Sequence, residues 1–456
     1  MSQVRSLQHP SAMKDMTHGS IRAHLIALAA PIAFGMLFQT LYVLVDLYFV
    51  AGLGDEAIAG VGSAGNASFL ILALTQVLGI GSVALIAQAV GRKDRAGATL
   101  VFNQSLLLSL LGVAGSLLFG YALAPLYVAG IGSDAATRAA GLSYLHWYLP
   151  GLALQFALVG MGSALRGTGI ARPTTVVQIA TVLLNIVLAP VLITGWGTRH
   201  PLGVAGAGLA SSISVAAGVL LLWLYFRKLE HYVDFDGRLW RPRPATWRQI
   251  LAIGLPAGAE FLLMFALLSF IYWLIRPFGA SAQAGYGIGS RVMQAVFLPT
   301  MALAFAVAPV AGQNYGARHF GRVRETFRAA AGMSVGLMIA VTVLCQLQPH
   351  ALIRPFTADP AVLAVGSQYL RIVSWNFAAI GVIFSCSGAF QAVGNTVPSM
   401  LSSASRVLSF VLPASWWAQQ PGFALVDVWY LSVASVGLQA GVSLLMLRRQ
   451  FRLRLA

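Results

Sequence analysis

Charged residues are scarce in this sequence. They make up 9% of the 456 residues, against 58% hydrophobic residues, whereas an average soluble domain is about 25% charged. This composition excludes a soluble globular fold and indicates a protein that resides in a membrane. Cysteine is nearly absent as well. The two cysteines, Cys345 and Cys386, both lie in apolar stretches, which excludes a disulfide framework.

Signatures of catalysis are also missing. The chain has no HExxH, no Walker loop and no Ser-His-Asp set in a recognisable context. We therefore expect no enzymatic activity, no catalytic residue, no bound metal and no cofactor. The first 22 residues are polar and lack the short apolar core and cleavage site of a signal peptide. The first apolar stretch is accordingly expected to stay in the mature protein.

Long apolar stretches dominate what is present. Each is long enough to cross a hydrocarbon core about 30 Å thick as a helix, which takes about 20 residues. Because lipid offers backbone amides no hydrogen-bond partner, runs of this length are expected to be helical, and none alternates like a strand of a membrane barrel. The sequence predicts an all-α integral membrane protein with twelve transmembrane helices, at 24–52, 57–88, 98–127, 135–160, 173–195, 203–226, 250–276, 281–311, 325–350, 362–390, 397–418 and 425–447.

The formal net charge is +16, and the placement of the basic residues indicates topology. With the N-terminus inside, most Lys and Arg residues fall in loops on the cytoplasmic side, including the connector at 227–249. This asymmetry follows the positive-inside rule and predicts that both termini are cytoplasmic. Contact with anionic membrane lipids is expected as a minor addition. Nucleic acid is not expected as a partner.

The chain repeats itself. When it is shifted by 225 residues, sparse residues coincide with their own kind without a gap, from Pro31 and Pro256 to Gly169 and Gly394. A constant offset indicates two copies of one structural unit. Since each copy contains six spans, both enter the membrane in the same direction and the repeat is parallel. Paired halves of this kind are typical of secondary transporters, in which the substrate site lies between the halves.

The polar connector separates the two copies, and the spans give the other boundaries. Most remaining loops are short, which favours antiparallel neighbouring helices in two compact bundles. The predicted organisation is a cytoplasmic N-terminal segment at 1–22, an N-lobe at 23–226, a cytoplasmic linker at 227–249, a C-lobe at 250–448 and a basic cytoplasmic tail at 449–456.

Acidic residues within the apolar segments are rare. Only Asp46 and Glu260 lie well inside them, and a charge there costs about 2.5–3.5 kcal/mol on insertion scales, which makes each a functional candidate. Gln39 lies seven residues before Asp46, two helical turns, and shares its face, as does Tyr42. Pro31 removes an amide donor and gives the first helix a place to bend. Because apolar residues stand at the matching positions of the second copy, we expect the polar chemistry to be concentrated in the N-terminal half.

Glu260 leaves two interpretations open. It pairs with Arg291 of the next span and only holds helices together, or it forms a second acidic or substrate-binding site with Tyr286 and Arg291. Aromatic side chains in the spans are candidates for lining a cavity for planar cations through cation–π contacts, although single aromatics in helices usually serve packing. The candidates for cavity lining are Tyr42, Phe261, Met264 and Trp375.

Several strings of this sequence resemble a known family. The first span, LAAPIAFGMLFQTLYVLVDLYFVAGLG, is similar to the first helix of the multidrug and toxic compound extrusion (MATE) transporters. So are AQAVGRKDRAGA with its second-copy partner GQNYGARHFGR, and LRGTGIARPTTVVQIATVLLNIVLAP followed by GVAGAGLASSIS. Each string alone is weak. Together, in this order and at these spacings, they are specific and cover nearly the whole chain.

The resemblance implies two six-helix lobes around a central cavity and the export of organic cations and amphipathic drugs, driven by inward H⁺ or Na⁺. It implies that helix one bends at Pro31 and that Gln39, Asp46 and Asn185 belong to the ion site of the N-lobe. Ser211 stands where many members have threonine in helix six. In the Na⁺ form of this site, the ion would lie at Asp46 and Asn185. We also expect a monomer in a bacterial inner membrane.

Departures from the family pattern bear on the coupling ion. Several members have an acid four residues after the helix-five asparagine, where this chain has Ala189. Glu260 comes about one turn before the helix-seven acid of one Na⁺-coupled branch, and the helix-ten acid of that branch is missing from 375–388. These differences favour a branch that relies on Asp46 and on H⁺, with Na⁺ as the alternative.

Three rival functions remain beside drug export. A flippase of related fold for lipid-linked or amphipathic substrates would be recognised by its substrate. A major-facilitator-type antiporter shares the parallel repeat, but GRKDRAGA at 91–98 matches its signature loop only superficially, because the Asp-Arg pair follows after two residues instead of three. A membrane-embedded enzyme needs a reactive constellation, and the deeply placed acids are unmatched.

Overall fold

The computed structural model describes residues 13–131, 134–229 and 232–455, and within these ranges every regular element is helical. Short 3-10 turns interrupt or extend several of the helices. The α-helices in chain order are α1 (Ile21–Ala51), α2 (Asp55–Gly65), α3 (Ala67–Gly91), α4 (Arg95–Ile131), α5 (Ala135–Gly167), α6 (Arg172–Ile193), α7 (Val204–Lys228), α8 (Pro244–Ile275), α9 (Ala280–Gly316), α10 (Phe320–Leu347), α11 (Pro349–Ile353), α12 (Pro360–Val373), α13 (Phe377–Ala392), α14 (Val397–Trp417) and α15 (Leu425–Arg454).

The helices are long and apolar enough to cross a membrane, as predicted. Among the described residues, eleven stretches meet this description, with α2 and α3 joined into one and α12 and α13 into another. The remaining predicted span, at 397–418, corresponds to α14, which has 21 residues but is less apolar because it carries several serines and Arg406. The all-α membrane architecture is thus confirmed, and α14 is its polar member.

The two copies follow the same backbone path. Lys93 and Arg318, which are 225 positions apart, both have φ of 60°, an uncommon conformation for a residue other than glycine. Gly169 and Gly394 are equivalent as well, with φ of 86° and 73°. Because the same departures recur at matching positions, the repeat read from the sequence is a repeat of structure.

Paired glycines bring helices together in each copy. A Cβ atom on Gly60 of α2 would lie 2.8 Å from the backbone nitrogen of Gly141 in α5. At the equivalent place in the second copy, a Cβ on Gly285 of α9 would lie 3.0 Å from the nitrogen of Gly366 in α12. Small residues allow membrane helices to approach in this way, so these positions require glycine for packing.

Contacts divide the chain into two compact units. The first unit comprises residues 13–18 and 34–254, and the second comprises residues 19–33 and 255–455. The change of unit falls inside α1 just after Pro31, and inside α8 just before Pro256, its repeat equivalent. The start of α1 therefore groups with the second unit, whereas the predicted N-lobe began at residue 23.

The linker belongs to the first unit, where two fully buried amides of α4 hold it. Asn103 Nδ2 donates to the carbonyl of Asp234 at 2.8 Å, and its Oδ1 accepts from Trp240 Nε1 at 3.0 Å. Gln104 Oε1 accepts from the backbone N–H of Arg243 at 2.9 Å. A mainly apolar cleft of about 820 Å³ lies beside this linker and contains none of the predicted site residues.

We expect Gly60→Ala to destabilise the protein. The added methyl group would meet the backbone of α5, and overpacking of this kind costs about 1–3 kcal/mol. A lower melting temperature of the purified protein in detergent, read by tryptophan fluorescence, would report the effect. Gly62→Ala is the matched control, since among the described residues no atom lies within 4 Å of its added Cβ. Equal melting temperatures for the two variants would contradict the close contact.

Candidate functional site

Three helices of the first unit carry the residues predicted for the ion site. Gln39 and Asp46 lie on α1, Asn185 on α6 and Ser211 on α7. The side chain of Asp46 lies outside the described part of the structure, whereas its backbone is part of α1. Asn185 and Ser211 are both fully buried. The structure thus brings predicted residues from distant parts of the sequence into one bundle.

Ser211 is the meeting point of these helices. Its Oγ lies 2.6 Å from the hydroxyl oxygen of Tyr42 on α1 and 3.5 Å from Nδ2 of Asn185 on α6. It also donates to the carbonyl of Ala207, at 3.1 Å. A serine hydroxyl has one proton and two lone pairs, so Ser211 donates to its own helix and accepts from Tyr42 and Asn185.

The other end of the Asn185 amide has no hydrogen-bond partner among the described residues. Its Oδ1 is buried and accepts no hydrogen bond from any described residue. A buried polar atom without a partner costs about 1–3 kcal/mol, and such atoms are rare in native structures. The site therefore presents an acceptor to a proton donor or a cation.

A second contact fixes the register of α1 against α6. Gln178 Nε2 donates to Gln39 Oε1 at 2.6 Å, and further along both helices Tyr42 and Asn185 meet at Ser211. The Gln39–Gln178 contact comes first along both helices and the meeting of Tyr42 and Asn185 at Ser211 comes second, so α1 and α6 run in parallel here. Residue 46 lies seven positions after Gln39, and Asn185 lies seven after Gln178. Equal steps along parallel helices bring the backbone of residue 46 to the level of Asn185.

In the second unit, serines surround Glu260. The hydroxyl groups of Ser399 and Ser403 on α14 lie 2.8 Å and 3.2 Å from its carboxylate oxygens, and that of Ser387 on α13 lies 3.4 Å away. We call these three residues the serine nest. No ion pair with Arg291 forms among the described residues, so the predicted salt bridge is wrong. The hydroxyl groups satisfy the carboxylate in its place.

The serine nest extends into a wider polar network. Gln391 Nε2 donates to Ser387 Oγ at 3.4 Å, and Gln439 Nε2 donates to Ser403 Oγ at 3.2 Å. The sequence comparison of the two copies predicted that polar chemistry would be concentrated in the N-terminal half. That expectation fails, because serines are common in helices and their convergence on one carboxylate appears only in three dimensions.

Tyr286 is not part of the Glu260 cluster. Its ring stacks on Trp429 with centroids 5.6 Å apart and meets Tyr272 edge-on at 4.9 Å. Tyr272 lies twelve residues beyond Glu260 on α8, about 18 Å along a helix. The structure therefore does not bring Tyr286 next to Glu260, and the combined site of Glu260, Tyr286 and Arg291 stays a prediction.

The proposed cavity-lining residues differ in their environment. Met264 and Trp375 are 55% and 67% exposed in the protein alone, and Phe261 is half-buried. Tyr42 is half-buried and bound to Ser211, so it contributes to the polar site as well as to a surface. A lining role for these residues stays a prediction.

Comparison with known proteins places the chain in a family. Residues 31–191 and 256–417 each match the profile of the MatE family. The chain belongs to the MatE family. The two matches begin 225 residues apart, at Pro31 and Pro256, so the MatE unit is the repeat found in the sequence. MatE proteins are transporters and not enzymes, which agrees with the missing catalytic motifs.

Individual MatE relatives resemble the chain over most of its length. It is 28% identical to the probable multidrug resistance protein YoeA of Bacillus subtilis, over 88% of this chain and 87% of the relative. It is 27% identical to the multidrug export protein MepA of Staphylococcus aureus, over 80% of each chain. A solved outward-facing structure of a multidrug resistance MATE family transporter superposes with a TM-score of 0.88 and 26% identity, covering 96% of this chain and 97% of the other.

Several residues of these two polar clusters were not predicted from the sequence. Gln178 carried a usable signal, since it precedes Asn185 by the same seven residues that separate Gln39 from Asp46. Ser387, Ser399 and Ser403 carried none. Serine recurs throughout the spans, and nothing in their spacing points to Glu260.

Ser211→Ala should impair transport at normal protein abundance. The change removes the acceptor of Tyr42 and Asn185, and one such hydrogen bond is worth about 1 kcal/mol, or roughly a fivefold loss in apparent affinity at the site. Concentration-dependent efflux of a fluorescent cation from cells measures this. Ser214→Ala on the same helix is the control, because Ser214 Oγ bonds only to the carbonyl of Ala210, one turn back. A Ser211→Ala variant indistinguishable from Ser214→Ala would remove Ser211 from the site.

Two replacements of Glu260 should distinguish the stabilising effect of its hydrogen-bond acceptor from that of its negative charge. Glu260→Gln keeps an acceptor oxygen and the size of the side chain, so we expect a melting temperature near that of the unmodified protein. Glu260→Leu leaves the hydroxyl groups of the serine nest without their acceptor, and we expect a loss of about 1–3 kcal/mol. Thermal denaturation of both variants in detergent tests the difference. Equal stability would show that the nest is not organised by the carboxylate.

Proposed function

We propose that this protein exports organic cations and amphipathic drugs across the bacterial plasma membrane in exchange for H⁺, by alternating access, with Asp46 as the coupling residue. The relatives named above are described as multidrug resistance or export proteins, which supports the substrate class. We further propose that the protein works as a monomer with both termini in the cytoplasm, as the positive-inside distribution suggests.

The unfilled acceptor of Asn185 carries this proposal. Its Oδ1 lacks a donor among the described residues, and the parallel register of α1 and α6 supports residue 46 at the same level. A protonated carboxyl group donates one hydrogen bond, whereas a carboxylate only accepts. Proton uptake at Asp46 would therefore supply the donor that Asn185 lacks, and proton loss would remove it.

The proposed cycle joins this exchange to a change in α1. With the site open to the outside, a proton reaches Asp46 and removes a charge from apolar surroundings. Helix α1 then repacks, with Pro31 as the point where its hydrogen bonding is already interrupted. The change in the polar site weakens drug binding and releases the drug outside. When the site opens inward, the proton leaves and the drug-binding state returns.

Transport by purified protein in proteoliposomes tests the coupling. We expect an imposed pH gradient to drive uptake of a fluorescent organic cation and a Na⁺ gradient alone to drive none. Asp46→Asn cannot take up or release a proton, so gradient-driven transport should fall to the level of protein-free liposomes. Equal activity of Asp46→Asn and the unmodified protein would remove Asp46 from the mechanism.

A matched acid-to-amide replacement elsewhere distinguishes a loss of ion coupling from the general effect of removing one negative charge. Glu56 lies exposed in the first turn of α2, and Glu56→Gln should transport normally. If a Na⁺ gradient drove dye transport and a pH gradient did not, the protein would still be an exchanger, but H⁺ would not be its coupling ion. Failure of both gradients, with intact dye binding, would overturn the transport function.

A further inference from the structure

The cleft beside the linker has room for a ligand and takes no part in either polar cluster. Its walls come from α4, α5, α7 and the linker, so it lies wholly within the first unit. Its floor is well packed, since Leu106, Met161 and Phe226 are 7%, 3% and 3% exposed. Its volume is about 820 Å³, within the range of about 300–1,000 Å³ that is typical of ligand pockets.

The linker forms a fixed wall of this cleft. Trp240 Nε1 donates to Asn103 Oδ1 on α4 at 3.0 Å, which fixes the indole ring. Phe235 packs against Phe226 of α7, with ring centroids 5.7 Å apart. Because both aromatic side chains of the linker are held by the helices, the cleft is formed before any ligand binds, and binding requires little ordering of the protein.

A cation lies at one end of the cleft. Arg227 is exposed in the last turn of α7, and its Cζ lies 5.2 Å from the centroid of the Trp223 ring. A guanidinium stacked on a ring keeps the N–H groups at its edge available. None of the described acids forms an ion pair with Arg227, and Asp234, which lines the same cleft, pairs with Arg95 at 3.0 Å. Arg227 can therefore bind an anion.

The cleft extends from this cation along an apolar path. Ala216 lines it eleven residues before Arg227 on α7, which is about 16 Å along a helix. One leaflet of a hydrocarbon core about 30 Å thick has nearly the same depth. Trp223 and Trp240, each 39% exposed, lie towards the linker, and tryptophan is enriched where a membrane meets water. The cleft thus matches an amphiphile with an anionic head and a long apolar chain.

We propose that this cleft binds an anionic phospholipid, with its phosphate at Arg227 and one acyl chain along α4 and α7. The linker at 227–249 has six basic and three acidic residues, which favours an anionic head. An exported organic cation would instead meet Arg227 as a like charge. The assignment of this lipid to the cytoplasmic leaflet rests on the topology given under the proposed function, whereas its binding depends on neither topology nor transport.

Two photoreactive phospholipids with the same diazirine-bearing acyl chain test the site. One has an anionic phosphatidylglycerol head and the other a zwitterionic phosphatidylcholine head. Full-length protein in phosphatidylcholine nanodiscs is irradiated with a trace of either lipid, and labelled residues are identified by mass spectrometry. We expect the anionic lipid to label 106–110 and 216–223 about fivefold more than the zwitterionic lipid, which corresponds to about 1 kcal/mol for one basic residue.

The exposed apolar face of α10 is the internal reference for this labelling. Ile339 and Val343 on that face are 52% and 50% exposed, and both lipids should label it equally. Equal labelling of the cleft by the two lipids in the unmodified protein would overturn the proposal. So would a preference for the anionic lipid that is as large at α10 as in the cleft.

Replacements of arginine assign the preference to its residue. Arg227→Gln should lower labelling of the cleft by the anionic lipid to the level of the zwitterionic lipid, and Arg227→Lys should retain most of the preference because it keeps the charge. Arg238→Gln is the matched control, since Arg238 is an exposed linker arginine that does not line the cleft. An equal loss in Arg238→Gln would assign the preference to the total charge of the linker and overturn the site.

A second pair of variants tests the path of the acyl chain. Ala216→Trp fills the exposed part of the cleft and should reduce labelling of 106–110 by both lipids. Ala122→Trp is the control, because Ala122 is an exposed alanine twelve residues beyond Leu110 on α4, about 18 Å away along the helix. Unchanged labelling in Ala216→Trp would overturn the position of the chain in the cleft.

Thermal stability provides a measurement without crosslinking. A ligand that binds only the folded state raises the melting temperature, so phosphatidylglycerol added to protein in detergent should raise it by roughly 1–2 °C. Phosphatidylcholine should not, and Arg227→Gln should lose the effect. The same rise in Arg227→Gln would overturn the site. Selective labelling of the cleft in a protein that transports no dye would uphold the lipid site and overturn the export function.

Discussion

The absence of water in the hydrocarbon core governs this structure. A polar side chain inside a span must find its partner within the protein, because lipid cannot hydrogen-bond to it. In the first unit, Tyr42 and Asn185 therefore converge on Ser211. In the second, serines from two helices converge on Glu260. At Asn185 Oδ1, no described residue supplies a hydrogen-bond donor.

In the two copies, the residues that support the fold differ from the residues that form the polar clusters. The features shared by the copies concern the backbone. They are the glycine contacts between helices, the positive φ values after α3 and α9, and the prolines of α1 and α8. The polar residues differ, so one fold carries two unlike interiors. Among the described residues, the first unit contains the contacts of Ser211 with Tyr42 and Asn185, and the second contains the serine nest around Glu260.

Both first helices of the repeats change unit at their proline. A proline within a helix lacks one backbone hydrogen bond, so these are the positions where the two parts of α1 or of α8 are least firmly tied. The polar residues Gln39 and Tyr42 of α1 lie after Pro31, in the part of the helix that belongs to the first unit. The buried amides of α4, by contrast, bind the linker into the first unit.

The sequence by itself determined the membrane class, the helices, the repeat and the family, since apolar run length and the 225-residue offset are properties of the linear chain. Gln39 was predicted from the sequence because it shares a helix face with Asp46, whereas Asn185 and Ser211 were predicted from the resemblance to the MATE family. The sequence could not pair Glu260 correctly: Arg291 was the opposite charge in the next span, whereas the serines of α13 and α14 lie more than 120 positions away. Only tertiary packing decided those partners, and only packing showed that Arg406 has none among the described acids. Which helix faces meet depends on the sum of many small contacts that no single spacing in the sequence records.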